Sequence, residues 1–373
     1  MNGISSSAKL GAGVALGVAA ALSGCNQAPD NRAMQALSPQ IVAQMTEKGV
    51  TPASPMLIRA FKKESEFEVW KMRPDGTYVL LKTFPICRWS GQLGPKTKEG
   101  DRQSPEGFYS ITPAMMNPNS SYYLSFNVGY PNAYDKAHGA TGGYVMVHGI
   151  CASAGCFAMT DAQIAEIYAL ARESFAGGQR AIQMQSYPFH MNAHNLAKYR
   201  LDPNMPFWKE LKKGDRYFEA TKHDVSVNVC NRHYVFGAQA DPSQPMDPNG
   251  PCPALKYDAE VETKVAALQR ADDAAVAEDV AKGERAVRLV YKDGAQNPAF
   301  ANRVAEVSRP DALVEPLELL LDEPRSSASA KPRSASASGD ALLLAEARLK
   351  GKPPAAPNLQ APSAAPRQQQ SAL

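Results

Sequence analysis

Between residues 55 and 238 the apolar positions recur mostly every second residue, the spacing of half-buried β-strands. "PMLIRAFKKESEFEVWKM" (55–72) sets two such runs on either side of the polar KKES, which predicts a hairpin. "PDGTYVLLKTFPICRWSG" (74–91) adds a third strand after an Asp75-Gly76 turn. "GFYSITPAM" (107–115) and "SYYLSFNVGY" (121–130) are strand candidates rich in aromatic and β-branched residues, and "GGYVMVHG" (142–149) is a short apolar strand. After Cys156 the period lengthens. Thr160 and Gln163 fit a capping box, Ile164, Ile167, Tyr168 and Ala171 follow at helical spacing, and Gly177-Gly178 stops the helix. "AIQMQSYPF" (181–189) returns to strand. "FWKELKKGDRYFEATK" (207–222) reads as helix, and "VSVNVCNRHYVF" (225–236) as a strand pair turning near Asn231-Arg232. The pattern predicts a mainly β domain with a few helices.

The flanks read differently. Residues 25–54 form a lead-in with one helical stretch, Ser38 to Lys48. Residues 239–253 are a proline-rich linker. Val261, Val265, Leu268, Val276 and Val280 then predict an amphipathic helix in an Ala-rich, charged segment, 254–325. Residues 326–373 are Ala-, Pro-, Ser- and Gln-rich and lack the apolar surface to offset their ordering entropy, so a disordered tail is expected.

The first residues point to export. Lys9 precedes an apolar run from Leu10 to Leu22 that is too short to span a bilayer and fits a signal-peptide core. Leu22-Ser23-Gly24-Cys25 resembles a bacterial lipoprotein signal, which implies a leader over 1–24 and Cys25 as the acylated N-terminus of the mature chain. Asn26 is not the aspartate that usually retains such proteins in the inner membrane, so a lipid-anchored periplasmic protein of the outer membrane is expected. The net charge of +3 is spread out with no basic stripe, which argues against a nucleic-acid partner.

Candidate chemistry concentrates in "VMVHGICASAGCFAMTD" (145–161), where His148, Cys151 and Cys156 fall within nine residues. Three readings compete. In the first, Cys156 is a nucleophile whose proton His148 accepts. The following helix lowers the thiol pKa, and backbone N–H groups at Gly155 and Cys156 face an oxyanion. In the second, His148, Cys151 and Cys156 bind zinc with a fourth ligand such as His138, although no paired C-x-x-C or H-x-x-x-H spacing supports it. In the third, Cys151 and Cys156 form a local disulfide.

His148-Gly149, a short loop, and Ser153-Ala154-Gly155-Cys156 resemble the active-site motif of the YkuD-type L,D-transpeptidases. "LIRAFKKESEFEVW", "LLKTFPICRWSGQLGPK", "SPEGFYSI", "FNVGYPNAYDKAHGATG", "GCFAMTD" and "FWKELKKGDRYFEATK" extend the resemblance to the YafK-like branch, over about residues 50–238. It implies a curled mixed β-sheet or sandwich over 55–238, with a core at 55–188 and an extension at 189–238. It implies Cys156 as nucleophile, His148 as general base, Gly155 with Cys156 as oxyanion donors, and Ser153 as a loop-shaping residue. No cofactor or metal is expected. The implied partner is the peptidoglycan stem peptide, attacked beside the L-centre of meso-diaminopimelate with release of D-alanine. The acyl group then passes to an amine of a stem peptide or a protein, or to water. The wider family usually carries His or Lys where Ala154 stands and Arg where Ala158 stands.

Two alternatives remain open on these residues. One is a hydrolase with the same site that cleaves stem peptides or releases a wall-linked lipoprotein. The other is an inactive wall-binding lipoprotein. A papain-like enzyme is disfavoured because His148 precedes the cysteine. His138, Arg102 and Lys96 are weaker candidates for substrate contact, and His190, His194, His223 and His233 read as structural. With Cys25 lipidated and Cys156 free, the expected pairs are Cys230 with Cys252 and Cys87 with Cys151, a pairing that spacing alone does not fix.

Overall fold

The computed structural model describes residues 31–239, 241 and 243–321; the expected leader, Cys25 and the tail 326–373 lie outside them. Among the described residues a 3₁₀ turn at Asn31–Met34 precedes the first α-helix, α1 (Pro39–Glu47). The Ser38 side chain caps it by accepting from the Ile41 N–H, and Pro39 opens its first turn. The hairpin follows as β1 (Met56–Phe61) and β2 (Glu66–Met72), then β3 (Tyr78–Pro85). The Asp75 carboxylate accepts from the Thr77 N–H at 2.8 Å and makes the turn between β2 and β3. Next come β4 (Gly107–Ile111), β5 (Met116–Asn117), β6 (Ser125–Asn127), α2 (Ala133–Ala137), β7 (Met146–His148) and β8 (Phe157–Ala158). They lead into α3 (Asp161–Ala176), β9 (Ile182–Tyr187), α4 (Ala193–Lys198), α5 (Met205–Thr221), β10 (Val227–Cys230) and β11 (His233–Phe236). Thr160 and Gln163 cap α3 reciprocally, as their spacing predicts.

Two mixed sheets carry the site. The larger has the order β3-β2-β1-β9-β4, with β1 parallel to β9 and the other pairs antiparallel. All of β1 is buried, as a central strand covered on both faces must be. The smaller sheet runs β5-β6-β7-β8, and its β7 and β8 are parallel. Helix α3 touches β1 of one sheet and β6 and β7 of the other, so it links both. Mixed sheets with few helices agree with the expected fold class.

Two regions depart from the sequence reading. Of "SYYLSFNVGY" only Ser125–Asn127 is strand, because Tyr123 takes φ 69° and turns the chain just before it. Within 254–325 the expected helix is present as α6 (Ala259–Ala281), which packs on α4 and α5. Beyond Gly283 the described residues form no α-helix. They form β12 (Val287–Val290), two 3₁₀ turns and β13 (Leu317–Leu320), and Ser308 among them reaches Ser153 in the loop between β7 and β8. Both expected disulfides are present, Cys87–Cys151 and Cys230–Cys252.

Candidate active site

His148 ends β7, and Cys156 stands one residue before β8. The parallel register pairs Val147 with Phe157 and His148 with Ala158. Extended by one residue it sets Cys156 beside Met146, whose N–H reaches the Cys156 sulfur at 3.4 Å. Side chains two apart on a strand share a face, so His148 and Cys156 project to the same side of the sheet.

His148 is buried, and its Nδ1 lies 2.5 Å from the Gly149 carbonyl oxygen. A proton on Nδ1 donates to that carbonyl and leaves Nε2 as the basic nitrogen. The Tyr122 ring packs on the imidazole at 4.7 Å between centroids. Burial lowers the His148 pKa below its ordinary 6.5, against a smaller opposing effect of the Gly149 bond. Burial also raises the Cys156 thiol above 9.0, with the Met146 N–H and then Lys96 pulling the other way. The expected lowering by a helix dipole is therefore overturned in direction. Strand β8 and the turn at Thr160 separate Cys156 from the first residue of α3, so the thiol sees desolvation before it sees the helix end. Both shifts favour the uncharged forms, a thiol and a neutral imidazole.

Ser153 does more than shape a turn. Its hydroxyl donates to the Cys156 carbonyl at 2.7 Å, accepts from the Gly155 N–H at 3.2 Å and meets the Ser90 hydroxyl at 3.0 Å. The Ser104 hydroxyl also donates to the Cys156 carbonyl, at 3.0 Å. Gly155 takes φ 130°, a backbone conformation that strains any side chain. Its N–H is held by Ser153, so an oxyanion at that N–H has to displace or share the serine.

The weaker candidates fall into place separately. Arg102 donates to the Ser153 carbonyl at 3.0 Å and to Asp293 at 2.7 Å, so it clamps the loop between β7 and β8. Lys96 is buried, pairs with Asp101 and lies over the Tyr130 ring. Of the three it is the one whose charge bears on the Cys156 thiol. His138 caps α2, holds the Tyr134 carbonyl at 2.9 Å and stacks on the Tyr134 ring. Those bonds make it part of the local turn. Loop 91–106 is anchored from below by the buried Lys62–Glu106 pair at 2.8 Å and by the Trp208 indole, which donates to Glu106 at 2.8 Å. Ser90, Ser104, Asp293 and Ser308 all hold the loop, and none stands out in the sequence.

Of the three readings of His148, Cys151 and Cys156, the bridge to Cys87 removes two. It occupies the Cys151 sulfur, which is then neither a zinc ligand nor a partner for Cys156. Cys156 is the free cysteine among the described residues. The family pattern for the L,D-transpeptidase catalytic domain matches residues 62–180. "Putative L,D-transpeptidase YafK" of Escherichia coli K12 is 42% identical over 182 residues, covering 49% of this chain and 74% of that protein. The protein of the same name in Escherichia coli O157:H7 matches to the same extent.

The chain belongs to the YkuD L,D-transpeptidase family. Membership supports a peptidoglycan-related function, with peptidoglycan as the implied substrate. Among solved structures, the helical cell shape determining protein Pgp2 of Campylobacter jejuni aligns at TM-score 0.29 and 18% identity, over 52% of this chain and 81% of that chain. Bd1075 of Bdellovibrio bacteriovorus aligns at 0.26 and 16%, over 47% and 75%. In this chain Ala158 stands where the resemblance leads one to expect arginine, and the backbone of Ala158 bridges to Arg88. The Arg88 guanidinium is buried against carbonyls of the C-terminal segment, among them those of Asp293 and Ser308.

The Cys87–Cys151 bridge closes 64 residues and pins one end of the loop that carries Cys156, a constraint of about 4 kcal/mol in the chain-entropy model. Phe300 and Val307 bury it. Reduction is expected to be slow, and to lower turnover once complete. Activity followed over hours in dithiothreitol, beside non-reducing peptide maps, checks this; a rise in activity on reduction contradicts it.

Proposed function

We propose that the chain is an envelope acyl-transfer enzyme acting on peptidoglycan stem peptides through a thioester at Cys156. Nε2 of His148 takes the thiol proton as the sulfur bonds to the acyl carbon beside the L-centre of meso-diaminopimelate. The tetrahedral oxyanion faces the N–H of Cys156 and that of Gly155. When the C–N bond breaks, the imidazolium returns the proton to the departing D-alanine amine. An acceptor amine, from another stem peptide or a protein, then attacks the thioester, loses its proton to His148 and releases the thiol. The observation that carries this reading is the β7–β8 register, which puts the free thiol and the buried imidazole on one face.

A second reading differs only in the acceptor. With water in place of the amine, the same thioester gives a shortened stem or frees a wall-linked lipoprotein. Ala154 and Ala158, where the wider family carries basic residues, favour weighing it. An inactive wall-binding lipoprotein is the remaining alternative, and an acylable Cys156 excludes it. Incubating the chain with defined muropeptides and weighing the products separates the cases. Cross-linked dimers indicate transfer to an amine, and shortened monomers indicate transfer to water. An unchanged muropeptide together with an unacylated Cys156 refutes both. Lipidation at Cys25 and an outer-membrane location belong to the same proposal; the mass of the mature N-terminal peptide from membrane fractions tests them.

A further inference from the structure

The segment after α6 touches the catalytic loop at several points. Ser308 accepts from the Ser153 N–H at 3.0 Å, and its own N–H donates to the Cys151 carbonyl at 3.2 Å. The Asp293 carboxylate is buried and gathers cations from three places. These are Arg102 at 2.7 Å, Arg309 at 2.9 Å and Arg88 at 3.5 Å. It also accepts from the Gly91 N–H at 3.1 Å. Gly294 takes φ 63° directly against the Trp89 carbonyl, where a Cβ has no room. Gly294 N–H donates to the Gly91 carbonyl at 2.7 Å, and the Trp89 N–H donates to the Ala295 carbonyl at 3.0 Å. Left-handed backbone clusters around the same contacts, at Arg102, Ile150 and Arg309. This is a built interface, with a disulfide under it and a backbone-tight seam beside it.

We propose that residues 286–313 are part of the catalytic unit, with Ser308 and Asp293 as positioning residues that set the loop 149–155 on which Cys156 depends. The path is short. Ser308 fixes the backbone of Ser153, and the Ser153 hydroxyl fixes the Cys156 carbonyl and the Gly155 N–H. Asp293 reaches the same residue from the other side, because the Arg102 it holds donates to the Ser153 carbonyl. Without either anchor Ser153 keeps its place in the chain and loses its place in space. The thiol then loses alignment with His148 and gains exposure.

The inference rests on the proposed thioester chemistry for its turnover readout, so the test carries a second readout that does not. In the full-length chain, Ser308→Ala, Ser308→Thr and Asp293→Asn are compared with the parent. The measurements are kcat and KM on a muropeptide, the rate of Cys156 alkylation by iodoacetamide at fixed pH, and the melting temperature. Small displacements of a reacting group cost large factors in rate. Ser308→Ala and Asp293→Asn are expected to lower kcat about tenfold and leave KM within about twofold, while alkylation of the loosened thiol rises about threefold. Ser308→Thr keeps the hydroxyl and is expected to restore both. Ser308→Ala and Asp293→Asn folded as the parent, with parental kcat and parental alkylation rate, overturn the proposal. If the parent turns over no muropeptide but the alkylation rates still part as described, the positioning role stands and the proposed reaction fails. If the parent turns over and neither rate moves, the reverse holds.

Discussion

Cys156→Ala is expected to abolish turnover, by about 10⁴-fold or more, in a chain that still folds. Cys156 is the free thiol among the described residues, since Cys87, Cys151, Cys230 and Cys252 are paired in two bridges. No second strong nucleophile stands in the loop: Ser90, Ser104 and Ser153 spend their hydroxyls on one another or on the Cys156 carbonyl. The structural loss is small. Alanine removes a partly exposed sulfur and one long contact from the Met146 N–H at 3.4 Å, worth about 1 kcal/mol or less. Circular dichroism should therefore overlay with the parent, and no acyl adduct should appear by mass. Cys156→Ser should behave the same way, because a hydroxyl is a far weaker nucleophile at the same place. Retention of more than a hundredth of the parental rate in Cys156→Ala would refute the thioester route.

The parts of the fold that were legible in the sequence are those whose cause is local. Alternating apolar positions mark β1, β2, β3, β4 and β9, and a capping box marks the start of α3, because period and caps act over a few residues. The pair His148 and Cys156 was legible for the same reason: a strand end and a tight loop bring them together within nine residues. What the sequence hid depends on distant contacts. "AVRLVY" (286–291) alternates buried Val287, Leu289 and Tyr291 with half-exposed Arg288, a strand signal overshadowed by the longer helical pattern before it. Nothing local tells that Ser308 returns to Ser153, 155 residues earlier, or Asp293 to Arg102, 191 residues earlier. The sign of the Cys156 shift was hidden too. A helix start nearby is visible in the chain, but the burial that outweighs it is a property of the packed site.

His148→Ala is expected to cost about 10²–10⁴-fold at neutral pH, the usual range for general-base assistance, and to change the shape of the pH profile. In the parent, a buried imidazole with its pKa below 6.5 shares a face with a partly buried thiol whose pKa burial lifts above 9.0. At neutral pH the imidazole is free to take a proton and the thiol still holds one. The parental acid limb should therefore lie below pH 6.5, where His148 becomes protonated, with a plateau from neutrality upward. Without His148 the residual reaction depends on thiolate formed by solvent alone. That fraction grows about tenfold per pH unit until the thiol itself titrates above 9.0. The variant should show no acid limb and a rate that climbs steadily from pH 7 to 9, so that its deficit shrinks toward alkaline pH. Alkylation of Cys156 by iodoacetamide should follow the same rising line in the variant. A variant whose rate against pH parallels the parent's, at any level, would show that His148 is not the group that takes the thiol proton.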